Sequence, residues 1–213
     1  MARAVALLRA VNVGGRTATK AQLTGALEGA GLTGVSTFLA SGNVLFDLPP
    51  PPPPALRVGI SPASSPASGS DPDPQPGGQV TGSFSGEQRA ALERNIEGGL
   101  LSVLGFAVEA FVRTSVELGA LAAFDPFPTV DPSVARQVAF LKTRPVEQAR
   151  AAVAALSTDR DTLVLADREV WWLARDGVGR SALKPGSLDR ALGQPVTARS
   201  LTTVTRLAAL LRT

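Results

Sequence analysis

The residues best suited to chemistry fall in two places. Asn12-Val13-Gly14-Gly15 and Ser41-Gly42-Asn43 are glycine turns. Such turns tolerate positive φ and expose backbone N–H groups that suit a phosphate or carboxylate. Arg9 or Arg16 supplies a countercharge nearby in sequence. The second place is the loop Asp176–Lys184, where Gly177 and Gly179 free the backbone and Arg180, Ser181 and Lys184 offer donors. Arg199 and Thr203 follow, with Ser200, Thr202 and Thr203 opening the last helix, where unpaired N–H groups also favour an anion. The candidate ligand set is therefore Arg180, Ser181, Lys184, Arg199 and Thr203, with Asn12, Gly14, Gly15 and Asn43 as a second site. A structural account of the same residues stands beside it. Gly14 and Gly15 can simply turn the chain, Asn43 can occupy a left-handed turn position, and the loop can be a solvated basic segment before an ordinary Ser/Thr helix cap. Neither nucleotide-binding glycine fingerprint is present.

The missing residue types narrow the chemistry further. The 213-residue chain has no His, Cys or Tyr, which removes Cys/His metal sites, thiol chemistry, disulfides and Ser-His-Asp catalysis. Acid–base work is left to Asp, Glu and the three lysines, Lys20, Lys142 and Lys184. A metal could be held only by oxygen ligands, as magnesium is, with Asp47, Asp125 and Asp131 conceivable. Asp125 and Asp131 sit in Pro-rich connections and read more naturally as turn formers. No metal ligand, cofactor or catalytic residue is assigned, and whether the chain is an enzyme stays open.

The net charge is +3. Residues 1–135 carry 8 Lys/Arg against 11 Asp/Glu, and residues 136–213 carry 13 against 7. The C-terminal part can therefore attract an anionic partner. With 44% apolar residues, no apolar run of membrane-spanning length and no secretory signal, the expectation is a soluble cytoplasmic protein.

The positioning elements read in order as follows. Within Arg3–Gly15, a short apolar run around Val5 and Leu7 reads as a buried strand before the first turn, and Thr19 with Gln22 forms a capping box for a helix to about Gly31. Val35–Leu39 and Val44–Phe46 make a hairpin. Eleven of the seventeen prolines then crowd residues 49–76, six of them consecutive, so residues 49–82 are expected to be a disordered insertion. Ser85 and Gln88 open a second helix, which runs to Gly105, and Phe106–Arg113 alternates as a strand. After a short helix capped by Thr114 and Glu117, the order repeats. Gln137–Lys142 is a strand, Pro145–Leu156 a helix, and Thr162–Ala166 with Glu169–Leu173 a hairpin. Ser187–Leu192 is a short helix, Val196–Arg199 a strand, and an amphipathic helix follows. This is an α+β chain of two ferredoxin-like βαββαβ units, residues 1–124 and 125–213, with a final C-terminal helix. Trp171 and Trp172 are adjacent on a strand and must point to opposite faces, one under helices and one where the other unit can dock.

Four motifs, LLRAVNVGG (7–15), ASGNVLF (40–46), DGVGRSAL (176–183) and VTARSLTTVTRLAAL (196–210), resemble the bacterial family known as domain of unknown function 1697. The resemblance implies a two-part α+β protein of ferredoxin-like units. It implies no established activity or site residue. The family pattern usually has Lys where Ala182 stands, Asn-Trp-Asn at Ser200-Leu201-Thr202 and Gln at Ala40. The best reading is binding of a small anionic or phosphorylated ligand. An RNA-binding module and a protein-interaction scaffold recruited through the proline tract are the alternatives. Oligomeric state is not legible.

Overall fold

The computed structural model describes residues 2–39, 42–49 and 85–212. Except for Pro49, the expected proline insertion lies outside them, as do Ala40 and Ser41. The first half contains β1 (Arg3–Leu8), α1 (Lys20–Gly29), β2 (Thr33–Phe38), β3 (Asn43–Asp47), α2 (Gly86–Leu104), β4 (Ala110–Thr114) and α3 (Ser115–Ala123). The second repeats that order with β5 (Ala135–Leu141), α4 (Gln148–Ala154), β6 (Asp161–Leu165), β7 (Glu169–Ala174), α5 (Ser187–Leu192), β8 (Val196–Ser200) and α6 (Leu201–Leu210). The strands form two four-stranded antiparallel sheets, ordered β2-β3-β1-β4 and β6-β7-β5-β8.

The two-residue period of the strands sorts their side chains into three cores. Ala4, Ala6 and Leu8 of β1 face α1 and α2, where they meet Leu27, Ile96 and Leu100. Val5 and Leu7 face the other way and join Val138, Phe140, Trp171 and Leu173 of the second sheet. Leu118 of α3 and Val204 and Leu207 of α6 complete this middle core. Val170 and Trp172 point outward to Val153, Leu188 and Leu192 beneath α4 and α5. Trp171 therefore sits between the sheets and Trp172 under helices. Adjacent tryptophans on one strand serve two different cores.

Local chemistry sets most element ends. Thr19, Ser85 and Thr114 each form the expected capping box, and Gly105 closes α2 in the left-handed region. The differences from expectation have local causes. The strand expected from Phe106 begins at Ala110, since its partner β1 ends opposite it at Leu8. The helix expected from Pro145 begins at Gln148, because the turn before it is closed by tighter i→i+3 bonds, from the Ala149 N–H to Val146 and from the Arg150 N–H to Glu147. Asn43 is not in a left-handed position. It opens β3, while Leu39 (φ 58°) and Gly42 (φ 70°) carry the positive φ of that turn.

β4 lies at the edge of its sheet, so its outward N–H groups need partners. The N–H groups of Ala110 and Val112 donate to Glu97 and Glu93 of α2, and that of Thr114 donates to Glu117 of α3. One helical turn of α2 thus matches two strand residues, and carboxylates close the edge.

Gly99 sits where α2 crosses α1. A Cβ there would lie 2.6 Å from the Ala26 carbonyl oxygen, whereas one at Gly98 would meet nothing within 4 Å. Gly99→Ala should therefore lower unfolding stability by about 1–3 kcal/mol through overpacking. Gly98→Ala should raise it by roughly 0.5–1 kcal/mol through helix propensity. Urea denaturation of the two variants beside the parent checks both signs.

A candidate anion-binding crevice between the sheets

Two arginines join the sheets in a reciprocal arrangement. Arg113, one residue from the end of β4, is fully buried. Its Nε donates to Glu169 Oε1 (2.8 Å) and its Nη2 to the carbonyls of Leu141 (2.8 Å) and Arg168 (3.0 Å). Arg199 holds the same place on β8. Its Nε donates to Asn43 Oδ1 (2.6 Å) and its Nη2 to the carbonyls of Leu8 (2.8 Å) and Gly42 (3.3 Å). Each therefore binds the end of the other sheet's first strand and the start of its third. Lys142 after β5 pairs with Glu97, and Arg9 after β1 pairs with Asp189 (2.5 Å), repeating the exchange.

A crevice of about 630 Å³ is lined by Arg168, whose carbonyl accepts from Arg113. Its walls come from both halves: the first turns of α2, Glu117 of α3, Lys142–Arg144 after β5, and Asp167-Arg168 between β6 and β7. Five cationic side chains line it against three carboxylates. Glu117 accepts from Arg89 (2.8 Å) and Arg168 (2.6 Å), yet Arg89 Nε and Arg168 Nη1 are buried with no hydrogen-bond partner among the described residues. Burial, together with repulsion from Arg113 and Arg89, lowers the Arg168 pKa to about 10. The guanidinium stays charged at neutral pH, in surroundings that hold surplus positive charge. Glu93, on the same wall, has its pKa raised, chiefly by burial against the opposing pull of the Val112 N–H and of Lys142, Arg113 and Arg89.

The residues singled out from sequence lie elsewhere, and the fold divides them. Arg199 and Asn43 do meet, but as the buried inter-sheet contact, with every Arg199 nitrogen already donating to protein. Burial lowers the Arg199 pKa to about 10. Thr203 and Ser200 bond to each other (2.9 Å) and cap α6. Asn12 accepts the Ala18 N–H (2.9 Å), while Gly14 and Gly15 adopt left-handed φ at an exposed turn. Ser181 belongs to a loop anchored on buried Asp161, which accepts Trp172 Nε1 (2.7 Å) and the Ala182 N–H (2.9 Å). Burial alone would raise the Asp161 pKa, but hydrogen bonds from Trp172, Ser181, Ala182 and Thr158 outweigh it and lower it. Arg180 and Lys184 are exposed on that loop and form no ion pair among the described residues. Leu183 packs the loop on the outer core, so the second sheet separates it from Arg199.

Asp125 and Asp131 accept the Phe127 and Ser133 N–H groups as turn formers. Among the described residues no cluster of three Asp or Glu could hold a metal, and no helix is long and apolar enough to cross a membrane.

Sequence reasoning missed Arg89, Arg94, Glu93, Glu117, Lys142, Arg144 and Arg168 because they come from four separate segments. One signal was available. Arg89 and Glu93 fall on the same helical stripe as Leu92, Ile96 and Leu100, and a charged pair on an apolar stripe needs buried partners.

The family model described as "Protein of unknown function (DUF1697)" matches residues 1–71 and 77–171. The chain belongs to that family. No curated protein matches this DUF1697 chain. Among solved structures it is similar to a conserved bacterial protein, SP0830 from Streptococcus pneumoniae. The TM-score is 0.62 at 18% identity, covering 99% of this chain and 98% of that one. The likeness concerns the fold alone.

Removing one side of a buried charge pair strands the other, so Arg113→Ala should cost about 3–5 kcal/mol. Arg113→Lys should recover only part of this, because an ammonium cannot reach three acceptors with the geometry of a planar fork. Chemical denaturation of both variants, with Glu169→Gln in a double-mutant cycle, measures the coupling.

Proposed function

We propose that this protein binds a small tetrahedral oxyanion, carried by a phosphorylated small molecule, in the crevice between its two halves. The observation behind this reading is the pair of buried, unpartnered guanidinium nitrogens, Arg89 Nε and Arg168 Nη1, in a crevice with surplus positive charge. A charged donor left without an acceptor is costly, and a phosphate oxygen is the acceptor a guanidinium fits best. Gly86 brings the N-terminal turn of α2 to the same wall, where backbone N–H groups favour an anion. Each half is taken as a ferredoxin-like unit on its strand order, divided at residues 124 and 125, so a ligand here would touch both units and strengthen their contact. The binding residues move accordingly from the glycine turns and basic loop to Arg89, Arg168 and Lys142.

A second reading uses the exposed cations Arg180 and Lys184 as contacts for nucleic-acid phosphates. It would act through charge alone, since Trp171 is covered and offers no ring to a base.

Thermal unfolding against inorganic phosphate at low ionic strength tests the first reading. At about 100 times its Kd, phosphate should add roughly 2.7 kcal/mol of stability. Arg89→Ala and Arg168→Ala should lose the shift, and Arg180→Ala with Lys184→Ala should keep it. A shift lost only in the Arg180/Lys184 variant would move the site to the loop.

A further inference from the structure

Resting on that reading, we infer that the crevice takes a dianion, the terminal group of a phosphate monoester and not a phosphodiester, together with a proton on Glu93. Glu93 is 97% buried by its 3% exposure and lines the crevice one helical turn beyond Arg89. Its Oε1 accepts the Val112 N–H (2.9 Å), and among the described residues its Oε2 makes no hydrogen bond. Protonated, that second oxygen becomes a donor that a phosphate oxygen can accept.

The charges around Glu93 determine which anion suits the site. On its own helix, Arg89 and Glu97 flank it one turn away in each direction. β4 brings Arg113, α3 brings Glu117, the segment after β5 brings Lys142, and the β6–β7 turn brings Arg168. With Glu97 counted beside its partner Lys142, one positive charge is in excess while Glu93 is ionised, and two once Glu93 is neutral. A dianion matches the state with neutral Glu93, whereas a diester leaves one positive charge unmatched in that state. Burial already favours the neutral carboxyl, and a dianion arriving beside it raises the cost of the ionised form again. Binding therefore draws a proton from solvent onto Glu93. The ligand keeps its own bonds, so the step balances as one anion and one proton bound.

The composition makes this measurable. The chain has no His, Cys or Tyr, so the side chains that usually titrate near neutral pH are missing. Sulfate is the probe of choice, because it remains a dianion throughout this range and contributes no proton change itself.

Sulfate affinity, measured by calorimetry from pH 5.5 to 7.5, should fall as pH rises, by up to about tenfold per pH unit. Titration in two buffers of different ionisation enthalpy should show uptake of up to about one proton per sulfate. In Glu93→Gln both the pH dependence and the uptake should vanish. Methyl phosphate should bind more tightly than dimethyl phosphate. Sulfate binding with no proton uptake, or with the same pH profile in Glu93→Gln, overturns the role of Glu93 while the anion site stands. Equal affinity for the two methyl phosphates overturns the preference for a dianion. Absence of binding by sulfate and phosphate alike overturns the site itself.

Discussion

Arg113 and Arg199 each leave their own sheet one residue before a helix cap and place a guanidinium against the opposite sheet. Both are buried, so their desolvation is tolerable only because every nitrogen finds an acceptor. Those acceptors are the carbonyl at the end of a first strand and a side chain at the start of a third strand. The contact therefore fixes the relative placement of the two halves as well as holding them together. The middle core follows from it. Trp171, Phe140 and Leu7 pack between the sheets whose strand ends the two arginines join.

The reciprocal plan carries different chemistry on its two sides. Arg168 and Glu117 border the charged crevice, but the corresponding positions in the other half are Gly42 and Thr203. The helix matching α2 is the six-residue α5, which has one acidic residue, Asp189, against the strand edge and no counterpart of Arg89 or Glu93. The repeat thus supplies the scaffold twice and the cationic crevice once. The charge pairing differs accordingly. The Arg113 guanidinium is matched by Glu169, whereas Arg89 and Arg168 share one carboxylate, Glu117, and leave two nitrogens over. An imbalance in a partly enclosed space is a better pointer to a ligand than a basic surface, where water and salt neutralise charge cheaply.

The carboxylates of α2 show how one set of residues can serve fold and site together. Glu93 and Glu97 close the exposed edge of β4, a requirement of any sheet that must not pair with its neighbours. Glu93 also lines the crevice, and Glu97 reaches Lys142 from the other half. Edge protection puts negative charge next to an arginine cluster, and burial then raises the pKa of one of those carboxyls, Glu93.

Element types and much of their order were legible in the sequence because they rest on contacts within a few residues. Capping boxes at Thr19, Ser85 and Thr114, the αL stop at Gly105, and the alternation in β1 and β7 all act over four residues or fewer. The repeat of that order, and the opposite facing of Trp171 and Trp172, followed from the same local rules. The partners of the arginines did not. Arg199 meets Leu8 from 191 residues away and Arg113 meets Glu169 from 56, and no local preference encodes such a pairing. From sequence Arg199 is a ligand-seeking cation in a basic segment, and only burial against the first sheet makes it structural. Arg168, in contrast, reads as a turn residue until the packed halves enclose it beside Arg89 and Arg113. Charge type is written in the chain, but whether a charge meets water, protein or a ligand depends on which surfaces the fold brings together.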